Sequence, residues 1–200
     1  MNLPNRLTLT RIILVPFILL FMLPLGYPGF ENWDRFVQSY GMLIALVIFV
    51  AASLTDYFDG HIARSRQLIS TLGKFLDPIA DKVLVLSVFI ALVERGRISA
   101  LVAIIVLFRE FVVSGIRLIA AERSVVIAAS VYGKLKTVSQ MTAIILIMIE
   151  MSLKGFQLDA GFLNLLSRIG DGILYISVIL TILSGIDYLS KNRNFLKSDS

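Results

Sequence analysis

The sequence predicts an all-α integral membrane protein with six transmembrane helices and an amphipathic N-terminal segment. Hydrophobic residues make up 57% of the 200-residue chain, and its mean hydropathy is +0.85. Charged residues make up only 16%, against roughly 25% in soluble domains. Two uncharged stretches, 12–30 and 36–55, each approach the ~20 residues that a helix needs to cross a bilayer. We therefore expect one membrane domain over residues 1–200.

The first two helices are predicted at 8–26 and 36–66. Arg6 and Arg11 precede the first apolar run, as in a signal peptide, but no small-x-small cleavage site follows. The apolar stretch is also too long for a typical signal peptide. We therefore interpret this segment as a retained helix, with Pro24 and Pro28 marking its exit.

The other four apolar runs, 83–93, 98–108, 137–149 and 172–186, are each too short to span a bilayer alone. They become full spans only if flanking charged residues lie within the helices. On that basis we predict helices at 72–93, 98–122, 133–152 and 170–190. Pro78 either begins the third helix or kinks it, and the period-four spacing of the neighbouring acids favours a kink.

The positive residues predict the orientation, because Lys and Arg are enriched on the cytoplasmic side of membrane proteins. With both termini in the cytoplasm, the outer side carries five cations and the inner side twelve. The outer ones are Arg35, Arg95, Arg97, Lys154 and Arg168, and the inner ones are Arg6, Arg11, Arg64, Arg66, Lys74, Arg117, Arg123, Lys134, Lys136, Lys191, Arg193 and Lys197.

Composition also excludes several classes of function. The chain has no cysteine, which rules out disulfides and cysteine-ligated zinc or iron–sulfur centres. The net charge of +5 fits an anionic membrane surface and anionic substrates. With no nucleic-acid motif and no interleaving of basic and aromatic residues, we expect no nucleic-acid partner.

Four carboxylates lie within 26 residues of this apolar chain. Asp56 and Asp59 are spaced i, i+3, and Asp77 and Asp81 are spaced i, i+4, so each pair shares one helix face. Charges at membrane depth need compensation, and carboxylate oxygens are typical ligands of hard dications. The spacing therefore predicts a metal site at the cytoplasmic ends of the second and third helices.

The run from Asp56 to Asp81 resembles the signature of the CDP-alcohol phosphatidyltransferase family, D-x2-D-G-x2-A-R-x8-G-x3-D-x3-D, with no departure in residue type or spacing. Two further stretches, 2–11 (NLPNRLTLTR) and 76–82 (LDPIADK), resemble one branch of that family, the phosphatidylglycerophosphate synthases. The resemblance implies transfer of the phosphatidyl group from CDP-diacylglycerol to an alcohol, with release of CMP. It also implies a homodimer among membrane lipids, for which we expect a bacterial cell membrane.

The resemblance assigns roles to individual residues. Two magnesium or manganese ions would be held by the four aspartates, and Asp81 would also be the general base. The cytidine and diphosphate pocket would be lined by Gly60, Ala63, Arg64 and Gly73.

The acceptor is predicted from charge. Glycerol 3-phosphate carries a phosphate and needs Arg or Lys in its pocket, and Arg109, Arg117, Lys134 and Lys136 are the candidates. A buried Arg109–Glu110 structural pair is the competing interpretation of Arg109, and snorkelling to lipid headgroups is the competing interpretation of the two lysines.

Other functions remain as alternatives. Within the family, the acceptor could instead be phosphatidylglycerol, giving cardiolipin, or inositol phosphate. A divalent-cation transporter would place acids near the bilayer middle on several helices, and a structural subunit has no need of this acid spacing. The sequence shows neither feature.

Overall fold

The computed structural model describes residues 3–66, 71–122, 125, 127, 130–156 and 158–192. Within helices, the side chains of 3–7, 56–66, 71–78, 81 and 122 are outside this description. Every regular element in the described part is helical. In chain order these are α1 (Leu3–Met22), α2 (Glu31–Phe36), a π-helical turn (Val37–Gly41), α3 (Met42–Arg66), α4 (Thr71–Glu94), α5 (Ala100–Glu122), α6 (Val131–Leu153) and α7 (Ala160–Lys191).

Six continuous helices result, because α2, the π-helical turn and α3 follow one another without a break. Within the described residues this agrees with the predicted number of helices, but four predicted bounds are wrong by four residues or more. The first helix begins at Leu3 rather than at 8, and the second begins at Glu31 rather than at 36. The first helix ends at Met22 rather than at 26, ahead of Pro24 and of Gly26 at φ 70°, a left-handed conformation that favours glycine.

The last helix begins at Ala160, ten residues before the predicted start at 170. The side chain of Asp159 caps it by accepting a hydrogen bond from the Phe162 amide at 2.9 Å, which satisfies a donor that the helix leaves unpaired. Pro78 lies inside α4, which begins at Thr71. The alternative in which Pro78 starts this helix is therefore wrong.

The main core lies where α1 packs against α3 and α4, and α6 against α7 and α3. Ile18 and Met22 of α1, Phe49 of α3 and Leu92 of α4 are all fully buried there. The π-helical turn approaches α1 closely: a Cβ at Gly41 would lie 2.2 Å from the carbonyl oxygen of Phe21. Only glycine fits at that crossing.

An ion-pair network joins the connection between α4 and α5 to α6 and α7. The guanidinium of Arg97 lies 2.8 Å from Glu150 and 2.7 Å from Asp171, and Lys154 lies 2.7 Å from Glu150. Burial opposes the charge of Arg97, but the two carboxylates outweigh it and raise the pKa of the guanidinium above its ordinary value. Asp171, just ahead of the apolar run 172–186, is thus paired within α7.

Polar and apolar side chains are distributed as in a membrane protein. Leu101, Phe108 and Leu118 on α5 are 64%, 68% and 73% exposed, whereas Gln140 and Glu150 of α6 are buried. Among the described residues, three helical stretches are long and apolar enough to cross a membrane, namely Glu31–Thr55, Val131–Leu153 and Ala160–Lys191. The outward faces suit lipid, since lipid-facing surfaces are apolar and polar groups face the bundle interior.

Candidate active site

The backbone around the four aspartates is helical. Asp56 and Asp59 lie toward the end of α3, and Asp77 and Asp81 lie within α4. This agrees with the helical spacing on which the metal prediction depends, and each pair occupies one face of its helix. The side chains of these aspartates, and of Gly60, Ala63, Arg64 and Gly73, lie outside the described residues. Their ligand and nucleotide roles therefore stay predictions.

Lys82 links α4, which carries Asp77 and Asp81, to α5. It follows Asp81 directly in α4, and its ammonium group donates to the hydroxyl of Ser114. That hydroxyl donates in turn to the carbonyl oxygen of Glu110, one turn earlier in α5. The residue next to the proposed general base is thus connected to the region of the predicted acceptor site.

Glu110 brings two of the predicted cations together. Arg109 Nη1 lies 3.0 Å from Glu110 Oε1, and the ammonium of Lys136 contacts the same oxygen. The Lys136 side chain is only 5% exposed and that of Glu110 is 13% exposed. A buried ammonium is costly without a counter-charge, and Glu110 supplies one to Lys136. We call Arg109 and Lys136 the inner pair.

The side chain of Arg109 is fixed from α6 and α7 as well. Its Nη2 donates to the hydroxyl of Ser184. A Cβ at Gly133 would lie 3.6 Å from Nη2, and one at Gly185 would lie 3.4 Å from Cγ. Both glycines therefore lie close to the Arg109 side chain, at distances where a Cβ would make ordinary van der Waals contact. The sequence alternative of a buried Arg109–Glu110 pair is correct as a contact, but the pair includes Lys136 as well.

The other two predicted cations occupy a different environment. Arg117 is exposed, and its guanidinium carbon lies 5.6 Å from the centre of the Tyr188 ring, within the range of a cation–π contact. Lys134 is exposed near the start of α6. We call Arg117 and Lys134 the outer pair. Each lies nearer the end of its helix than the inner-pair residue on the same helix.

Helix α7 supplies contacts that the sequence analysis missed. Its buried polar residues Ser177, Thr181, Ser184 and Tyr188 recur at helical spacing and so share one face. Thr181 accepts a hydrogen bond from Gln140 at 3.0 Å. Ser184 accepts a hydrogen bond from Arg109, and the Tyr188 ring contacts Arg117. The sequence signal was present, namely small polar residues at i, i+4 and i+7 in an otherwise apolar helix.

Two cavities in the described part bear on the position of the site. One of about 40 Å³ adjoins the inner pair and is large enough for water but not for a substrate; it is lined by Lys82, Val85, Leu86, Val106, Glu110, Lys136, Thr137 and Gln140. The other, about 620 Å³, lies between the C-terminal ends of α1 and α4, beside Leu23, Ile90 and Arg95. The predicted site residues whose side chains are described, Arg109, Arg117, Lys134 and Lys136, do not line the larger cavity, so its size does not identify it as the active site.

Comparison with known proteins places these features in a family context. A family model described as CDP-alcohol phosphatidyltransferase matches residues 1–183. The chain is 36% identical over 200 residues to a Bacillus subtilis protein named CDP-diacylglycerol–glycerol-3-phosphate 3-phosphatidyltransferase, covering all of this chain and 99% of the relative. A Rickettsia typhi protein of the same name is 35% identical over 194 residues, covering 97% of this chain and 98% of the relative.

The energetic role of Glu110 can be tested by a double-mutant cycle with Lys136. Glu110→Gln should lower the free energy of unfolding by about 3 kcal/mol, since it removes the carboxylate that Arg109 and the buried Lys136 share. Lys136→Met should cost less, because Glu110 keeps its contact with Arg109. The double variant should lose less than the sum of the two. Equilibrium unfolding in mixed detergent micelles measures all three, with Lys134→Met as the exposed control. Strictly additive losses would show that the two residues are not coupled.

Proposed function

The chain belongs to the CDP-alcohol phosphatidyltransferase family, and from that premise we propose that it transfers the phosphatidyl group of CDP-diacylglycerol to glycerol 3-phosphate. The products are phosphatidylglycerophosphate and CMP, which makes the protein an enzyme of phospholipid biosynthesis. The observation that carries this proposal is the end-to-end similarity to relatives whose names specify both substrates. The resemblance found in the aspartate motif is thereby confirmed.

The aspartates fit a divalent metal. All four donors are carboxylates, the hard oxygen ligands that magnesium and manganese prefer. The helical backbone presents them in two pairs, each on one face of α3 or α4. We propose that Asp56, Asp59, Asp77 and Asp81 hold two magnesium or manganese ions. When bound, such ions would neutralise the diphosphate and the leaving CMP.

The chain's own residues account for the remaining chemistry. Asp81 accepts the proton of the glycerol 3-phosphate hydroxyl as that hydroxyl's oxygen attacks the β-phosphorus of CDP-diacylglycerol. The bond from this phosphorus to the CMP oxygen breaks, and CMP leaves. Gly60, Ala63 and Gly73 are small and let the nucleotide approach the helix backbone closely, while Arg64 supplies a positive charge beside the diphosphate. This arrangement deprotonates the nucleophile at the atom that reacts.

The inner and outer pairs support glycerol 3-phosphate as the acceptor. Arg and Lys form strong charge-assisted hydrogen bonds with phosphate, and an acceptor without phosphate has no use for them. The link from Asp81 through Lys82 and Ser114 to Glu110 runs between the aspartate motif and the inner pair. We propose that the acceptor's phosphate binds to the cations while its hydroxyl points toward Asp81.

We propose a multi-pass topology with six membrane spans and both termini in the cytoplasm. The three apolar stretches and the apolar outward faces support membrane insertion, and the excess of positive residues supports the orientation. The aspartate motif and both cation pairs then face the cytoplasm, where glycerol 3-phosphate is soluble. A homodimer in a bacterial cell membrane is part of the same proposal.

The metal site predicts complete dependence on the aspartates. Asp56→Asn, Asp59→Asn and Asp77→Asn should each abolish CMP release, because an amide oxygen binds a hard dication far more weakly than a carboxylate does. Chelation should abolish CMP release by the wild type until magnesium or manganese is added back. CMP release from CDP-diacylglycerol is the measurement, with inositol phosphate, serine and phosphatidylglycerol tested as other acceptors. Full activity in excess chelator contradicts the metal site, and preference for another acceptor contradicts the reaction.

The outer pair predicts a selective defect. Arg117→Gln and Lys134→Gln should each raise the KM for glycerol 3-phosphate about ten- to a hundredfold, which corresponds to the loss of one charge-assisted hydrogen bond. The KM for CDP-diacylglycerol should not change. Arg168→Gln is the matched control, since Arg168 is exposed on α7 at the opposite end of the bundle. An equal rise in both KM values would exclude the outer pair as an acceptor site.

The topology can be tested directly because the chain has no cysteine. Ser190→Cys, near the end of α7, should react with an impermeant maleimide only from the cytoplasmic side. Ser99→Cys, between α4 and α5, should react only from outside. Both serines are exposed, so labelling does not require unfolding, and the cysteine-free parent gives the background. Labelling of both positions from the same side would overturn the six-span arrangement.

A further inference from the structure

Tyr188 is a buried tyrosine whose hydroxyl has no partner. The residue is 3% exposed and packs with Val113 and Ile116. Within the described part of the structure, its hydroxyl oxygen makes no hydrogen bond. Burying a polar group without a partner is unfavourable, and nearly all buried polar groups in folded proteins are paired. Tyr188 therefore keeps a hydrogen-bond donor available at a cost in stability.

A cation stands beside this donor. The guanidinium of Arg117 lies 5.6 Å from the centre of the Tyr188 ring. A contact with the ring face does not consume the N–H donors, which lie in the plane of the guanidinium. Arg117 is exposed whereas Tyr188 is buried, so the two place one accessible cation beside one sheltered O–H donor.

The charge of the nearby carboxylate is paired, although its second oxygen, Asp187 Oδ2, is buried and has no hydrogen-bond partner among the described residues. Asp187 precedes Tyr188 in α7, but its Oδ1 lies 2.7 Å from the ammonium of Lys191. The pair is neutral overall. Ser184, one turn before Tyr188 on the same face, accepts a hydrogen bond from Arg109 of the inner pair. The face of α7 thus runs from the inner pair to Arg117.

We infer that the hydroxyl of Tyr188 is a substrate-binding group, which donates a hydrogen bond to the phosphate of the acceptor beside Arg117. The inference rests on the proposed function and adds a residue from α7 to the acceptor site. A phosphate monoester offers several strong acceptor oxygens, so that one phosphate can accept from Arg117 and from Tyr188 at once. An acceptor with no phosphate would leave the buried hydroxyl unpaired.

Tyr188→Phe tests this role, because it removes the hydroxyl and keeps the ring that packs against Arg117. The KM for glycerol 3-phosphate should rise about tenfold, as expected for one hydrogen bond to a charged group. The kcat and the KM for CDP-diacylglycerol should not change, and the unfolding midpoint should stay the same or increase. Tyr175→Phe is the matched control, since Tyr175 lies on the same helix and is 63% exposed.

Anionic lipid is the other source of phosphate, and the assay separates the two. Each variant is measured in neutral detergent micelles, with and without added phosphatidylglycerol. A defect in Tyr188→Phe that appears only with anionic lipid would assign the hydroxyl to the bilayer and overturn the inference. An unchanged KM for glycerol 3-phosphate, or an equal rise for both substrates, would overturn it as well. Failure of the wild type to use glycerol 3-phosphate would instead refute the proposed function.

Discussion

The candidate site depends on the compensation of buried charge by Glu110. Its carboxylate contacts Arg109 from its own helix and Lys136 from α6. Without that carboxylate, two cations at this depth would be driven apart or toward water, because an uncompensated charge in a poorly hydrated site is costly. The contacts of Arg109 with Ser184, and the close approach of Gly133 and Gly185, follow from the position that Glu110 imposes. One side chain therefore holds the meeting point of α5, α6 and α7.

At the opposite end of the bundle, carboxylates also compensate partly buried cations. Glu150 compensates Arg97 and Lys154, and Asp171 adds a second carboxylate to Arg97. There two carboxylates face two cations, so the network is neutral and its charges are satisfied. Around Glu110, the described cations Arg109 and Lys136 share one carboxylate oxygen, and a small cavity adjoins Lys136. The first network joins helices at one end of the bundle, whereas the second lies in the region of the proposed acceptor site.

Features carried by fixed spacing or by composition could be predicted from the sequence. The aspartate motif has fixed offsets on two helices and pointed to the family, and the hydropathy pattern predicted six helices. The start of α7 was predicted ten residues too late, because the apolar run on which the prediction rested begins only at 172. The pairing of Asp171 with Arg97, which lies far away in the sequence, is visible only in the structure. Ser184 and Tyr188 were missed for a similar reason. Their significance comes from arginines more than 70 positions away, and no local pattern reveals that contact.

The charge balance also gives a physical reason for two pairs of cations. Arg109 and Lys136 together with Glu110 carry a net charge of only about +1 if all three are ionised. A phosphate monoester carries about −1.5 to −2 at neutral pH, since its second pKa is near 6. If the acceptor's phosphate binds as proposed, Arg117 and Lys134 would add positive charge from the exposed side. The division into a buried and an exposed pair is therefore consistent with a phosphorylated alcohol as the acceptor.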